Sequence, residues 1–244
     1  MANTSKRHWR PAARRLAAAL LLGALSTLTH AGLKEASLAY EQANYESALK
    51  ELTPLATKGN ATAQHLLGKM NSLGQGMPQN KKEAARWFHL AAEQGLAQAQ
   101  AMLGYLCLIG EGVSQNNELA LTWTRKAALQ GDANAQFNLS VMHGEPHGIR
   151  KDSAASLEWL RKAAGQGHGA ALDALGQRYE QDQGGVRRHP ASAYLLTAAA
   201  TEKGYSAAGN RLKAMESRLS TRDLRTGREM LRQWRSGTPL SQLL

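Results

Sequence analysis

The chain has 244 residues, enough for one or two domains, and pairs 43% hydrophobic residues with only 5% aromatic ones. Its single cysteine, Cys107, excludes an internal disulfide framework and a Cys-rich metal site. The formal charge of +11 does not point to nucleic acid, because residues 32–202 hold 16 basic and 16 acidic side chains and the surplus lies at the two ends.

The first 31 residues carry Lys6, Arg7, Arg10, Arg14 and Arg15 and no acid. An apolar run from Leu16 to Leu28 follows, and Thr29-His30-Ala31 puts small residues at the −3 and −1 positions. This charged, apolar and small-residue series is that of a secretory signal peptide, and the run is too short to cross a bilayer. The expectation is cleavage after Ala31 and a periplasmic or secreted protein.

From residue 32 to residue 219 the chain repeats itself. Leu67-Gly68, Leu103-Gly104, Leu139-Ser140 and Leu175-Gly176 stand 36 residues apart. Trp87, Trp123 and Trp159 keep that step, as do Ala91-Ala92, Ala127-Ala128 and Ala163-Ala164. Each unit reads as two helices joined by a loop such as LGQGMPQN, whose Gly, Pro and Asn stop helices. Small residues at Gly68 and Ala91 admit close helix approach, and Trp87 and Leu67 are expected to fill the space between. One such hairpin cannot bury its apolar face alone, so units must stack. Four full units are expected. A shortened first unit precedes them, with Leu52 at the Trp position, and an incomplete last unit follows. The loop QDQGGV carries one extra residue and shifts the register.

Residues 220–244 form the last segment. Ser220-Thr221-Arg222-Asp223 resembles a capping box, which predicts a helix from there to about Arg235. At 100° per residue, Arg222, Arg225, Arg228, Arg232 and Arg235 fall within an arc of about 140°. Leu224, Met230, Leu231 and Trp234 fall on another. This predicts a basic amphipathic helix that caps the array with its apolar side.

The pattern A-x-x-x-L-G-x-x-x-x-x-G-x-G-V followed by A-x-x-W-x-x-x-A-A-x-x-G resembles the Sel-one-like repeat family (SLR), a relative of the tetratricopeptide repeat. The resemblance covers about residues 33–217. It implies an all-α, right-handed α/α solenoid of stacked 36-residue hairpins, closed by a C-terminal capping helix. The family's Tyr, four residues after the Leu of Leu-Gly, is kept only at Tyr179; Asn71, Cys107 and His143 stand at the other sites.

No residue pattern points to catalysis. Gly74-x-Gly76 and Gly110-x-Gly112 lack the strand and third glycine of a phosphate loop. His143, Glu145 and His147 are short of the four ligands of a structural zinc site. Cys107 and His143 share a repeat position that is a packing position, so a Cys–His nucleophile is not expected. Neither a cofactor nor a metal is expected, and the chain is read as a non-enzyme.

What remains is surface. In an α/α solenoid the first helices line a concave groove, which places His65 and Lys69, then Tyr105 and Leu108, then Phe137 and Val141, then Gln177 along it. Asp173 and Glu180 would make its far end acidic. An apolar centre suits a protein or peptide partner. The expected function is that of an exported, non-catalytic adaptor. The alternative is a module attaching to anionic membrane, lipopolysaccharide or cell wall through Arg225, Arg228 and Arg232.

Overall fold

The computed structural model describes residues 32–144 and 151–244, and every regular element among them is helical. The chain divides into two compact units, the first ending at Ala91 and the second beginning at Ala92.

In the first unit, α1 (32–41) and α2 (Tyr45–Thr57) precede the first full repeat, α3 (Ala61–Leu73) and α4 (Lys81–Glu93). Leu52 stands fully buried where later units carry Trp, beside Ala48, Leu67 and Met70. Tyr45 joins α2 to the repeat loop, since its hydroxyl accepts a 2.9 Å hydrogen bond from Gln75. Gly76 lies against the same tyrosine at φ +71°, and a Cβ there would come within 2.8 Å of Tyr45 Cβ.

The second unit continues with α5 (Ala97–Ile109) and α6 (Asn117–Leu129), then α7 (Ala133–Gly144) and α8 (Ser153–Gly165). It goes on to α9 (Gly169–Gln181) and α10 (Pro190–Glu202), then α11 (Ala207–Arg218) and α12 (Thr221–Arg235), and ends with one turn, α13 (Leu240–Leu243). Several helices start where a polar side chain satisfies a free N–H group. Asn116 accepts from Leu119 N–H and Asp152 from Ala155 N–H, each at 2.9 Å. They end where a left-handed residue turns the chain, as at Gly110 with φ +72°. In the fourth unit Asp182 takes this conformation at φ +58°, and its carboxylate accepts from Arg188 N–H at 2.9 Å. That bond spans the loop holding the extra residue.

Four backbone bonds keep the hairpins in register. The N–H groups of Asn80, Asn116, Asp152 and His189 donate to the carbonyls of Asn71, Cys107, His143 and Tyr179. The position where the resemblance expects Tyr thus holds the loop through its carbonyl, which leaves the side chain free to vary.

The Leu of each Leu-Gly pair is no more than 2% exposed, and each such side chain contributes roughly 1.5–3 kcal/mol. The Gly is a contact point between the two helices of a hairpin. A Cβ on Gly68 would stand 2.7 Å from the Phe88 ring, and one on Gly104 would stand 3.0 Å from Thr124 N. At Ser140, in the same position, the facing Ser156 hydroxyl donates to the Ser140 carbonyl at 2.7 Å.

The tryptophans differ from expectation. Trp87 is buried at 8% exposure, whereas Trp123 and Trp159 are half-buried, with Lys126 and Lys162 over their rings. The fully enclosed position is the next residue, Phe88, Thr124, Leu160 and Thr197, which points at the Leu-Gly helix.

A glutamine relay also repeats. Gln64, Gln100 and Gln136 are buried, and each donates its amide to a carbonyl eight residues back, at Ala56, Ala92 and Ala128. In the second unit Gln130 donates to Gln100 Oε1 and Gln166 to Gln136 Oε1, both at 2.8 Å. The buried amides of Gln100 and Gln136 therefore have partners on both sides, as burial requires.

Candidate interaction surface

Cys107, which shares a repeat position with His143, sits in packed surroundings. Cys107 is 5% exposed, and burial pushes its thiol up, away from the thiolate a nucleophile needs. Glu145 and His147 lie outside the described residues, as does the N-terminal segment 1–31. Among the described residues no helix is long and apolar enough to cross a membrane.

The proposed groove residues are placed unequally. In the first unit His65 is only 8% exposed and packs against the Phe88 ring, with centroids 5.5 Å apart. Desolvation by burial, helped by nearby Lys69, lowers its pKa to about 4, so it is a neutral core ring. Lys69 is half-exposed, with its ammonium 4.9 Å from the centre of the Tyr40 ring.

In the second unit the first helices present one row. Tyr105 is 45% exposed and Ile109 43%, with Leu108 half-buried between them on α5. On α7, Val141 and Phe137 are half-buried, and Phe137 stacks on His168 at 5.0 Å. His168 is itself held by the chain, accepting from Ala171 N–H and facing Asn134 Oδ1 at 3.2 Å. Burial lowers its pKa, which keeps the stacked ring neutral.

The acidic end expected on α9 is neutralised from within. Asp173, 4% exposed, pairs with Arg211, and Gln177 donates to its other oxygen at 3.1 Å. Glu180 pairs with Arg218 at 2.7 Å. Both arginines belong to α11. They were missed in sequence because α11 belongs to the incomplete last unit, past the extra loop residue, where no second copy marks these positions.

On α12 the arginine stripe exists and is exposed along Arg222, Arg225, Arg228, Arg232 and Arg235. Ser220 caps the helix by accepting from Asp223 N–H. The opposite face docks on α10 through a residue the sequence did not flag. A Cβ on Gly227 would stand 2.7 Å from the Tyr194 ring and 3.0 Å from Ala191 O. Arg228 faces Tyr194 and Glu216, whose hydrogen bonds raise its pKa, the Tyr194 contact most.

Stacked helix pairs with a 36-residue period define an α/α solenoid of short repeats. The Sel1 repeat model matches residues 61–96, 97–132 and 133–168. A Sel1 repeat protein from Oxalobacter formigenes is 33% identical, with a TM-score of 0.66 over 75% of this chain and 71% of that one. A protective antigen of uropathogenic Escherichia coli displaying an SLR fold is 28% identical, with a TM-score of 0.65. That match covers 76% of this chain but only 40% of the antigen. A Sel1 repeat protein from Klebsiella pneumoniae shares the fold at 16% identity and a TM-score of 0.53, over 77% of this chain and 93% of that one. A search of curated proteins gave no match. The chain belongs to the Sel1 repeat proteins. Members of that family are generally protein–protein interaction scaffolds.

Proposed function

We propose that the protein is an exported, non-catalytic scaffold that holds a protein or peptide on the first-helix row of its second unit. The observation that carries this reading is the exposed edge of α5. Tyr105 and Ile109 stay 45% and 43% exposed, next to half-buried Leu108, while most large apolar side chains of the repeat core are enclosed. A large aromatic with an apolar surround is the usual anchor of a protein interface. The flanking acids on α9 are occupied by α11, so the row offers apolar contact rather than charge. Export is supported by the signal-like series before Ala31. It also fits that one solved relative is a protective antigen.

A photo-reactive amino acid at position 105 tests the surface in the envelope of the producing cell. The expected result is a discrete cross-linked species, at least tenfold weaker when Val141 is also changed to Asp. Cross-linking indifferent to Val141→Asp would remove the row as the binding site. Mass spectrometry of the native protein is expected to find a chain starting at Gly32; a chain retaining residues 1–31 would remove the export reading.

A further inference from the structure

A second surface lies where the apolar and arginine arcs of α12 meet. An open cleft there has Leu224 and Leu231 as its floor, with Arg225, Arg228, Arg232 and Arg235 along its edge. Tyr194 of α10 closes its inner side. Three of these arginines already hold carboxylates of the chain. Arg228 lies 3.4 Å from Glu216, Arg232 pairs with Glu229, and Arg235 Nε donates to Glu202 at 3.0 Å. Arg225 is exposed and has no carboxylate partner among the described residues. A guanidinium carries five N–H donors, and the internal pairs use only one or two of each. Positioned donors are therefore left facing the cleft beside an apolar floor.

We infer that this cleft binds an acidic polypeptide segment, with carboxylates on Arg225, Arg228 and Arg232 and an apolar side chain over Leu224 and Leu231. Arginine suits this because its planar fork grips carboxylates in pairs. Charge complementarity favours such a segment, since four arginines border the cleft and one of them, Arg225, pairs with no carboxylate of the chain among the described residues. A flat anionic bilayer fits the cleft less well. It would meet the exposed arginine tips but not the recessed floor, and Met230 and Trp234, the side chains that could insert, are packed against the core. This surface lies on α10 and α12, so it does not rest on the α5–α7 row.

The test is fluorescence anisotropy at low salt with a 12-residue peptide alternating Glu and Leu, and a Lys–Leu peptide of equal length as control. The protein is expected to bind the Glu–Leu peptide and not the Lys–Leu one. Arg225→Gln breaks no internal ion pair, so circular dichroism should be unchanged while affinity falls about tenfold. Leu224→Asn should weaken it about threefold by wetting the floor. No binding of the Glu–Leu peptide, or binding indifferent to both changes, overturns the inference. So does retention on phosphatidylglycerol vesicles that depends on Arg225 and is not displaced by the peptide.

Discussion

Helices α6 and α10 occupy the same place in hairpins two repeats apart and are both 13 residues long, yet four residues of α6 are buried and ten of α10 are. The difference lies in the neighbours. Helix α6 is covered on one side by α5 and α7, whereas α10 is surrounded by α9, α11 and α12. The 36-residue pattern specifies a hairpin, and the elements stacked on it decide which of its faces become core. An α10 made of Pro, Ala, Ser, Tyr, Leu and Thr with no charge before Glu202 suits that enclosure.

This contrast can be broken most directly by truncation at equivalent sites. Leu196 and Trp123 share the Trp position, but Leu196 is fully buried and Trp123 half-exposed. Leu196→Ala is expected to cost about 3–4 kcal/mol and Trp123→Ala about 1–2 kcal/mol, despite the larger side chain removed. Urea unfolding of both variants checks this, and the reverse order would refute the contrast in burial between the two helices.

The same logic applies where His65 takes the row position filled elsewhere by Ala101 and Phe137. Its folded pKa of about 4 lies below the ordinary 6.5, so the unfolded chain takes up the proton first. Its contribution is complete above about pH 6.5 and is lost as pH falls toward 4. The loss should reach about 3 kcal/mol there. Comparing His65→Leu with the parent between pH 7 and pH 4.5 isolates this slope. A variant with an unchanged slope would show that the ring is hydrated.

Gly227→Val should lift α12 from Tyr194 and cost about 2 kcal/mol, by overpacking. A thermal melt would register it, together with increased protease cleavage after Arg225 and Arg228. Gly110→Ala with Gly112→Ala, both left-handed at φ +72° and +73°, should cost about 1–2 kcal/mol by the same melt. The smallest change is expected from Gln136→Leu, under about 1 kcal/mol, because the next unit already carries the buried Leu172 there. A larger loss would mean that the relay from Gln166 matters more than its replaceability suggests.

The hairpins were legible because a repeat prints its packing positions many times. Leu-Gly, the alanine pairs and the loop glycines each found their place. The glutamine relay was printed equally often at 36-residue intervals, but polar residues in a helical pattern read as surface, and only their carbonyl partners reveal burial. Gly227 and Arg211 were illegible for a different reason. They lie past the last regular unit, where no second copy marks a position, and their partners Tyr194 and Asp173 are distant in sequence. The exposure of Trp123 follows from the direction of its side chain along the helix, which spacing alone does not give.

The near-complete enclosure of α10 also bears on how the protein is made. Until residues 221–235 have docked, the run Ala191–Ala200 lacks the cover that Gly227 brings against Tyr194 and Ala191. During that interval it is an uncharged, adhesive helix of the kind that recruits chaperones or seeds aggregation. A chain cut short before Thr221 is therefore expected to expose this apolar run.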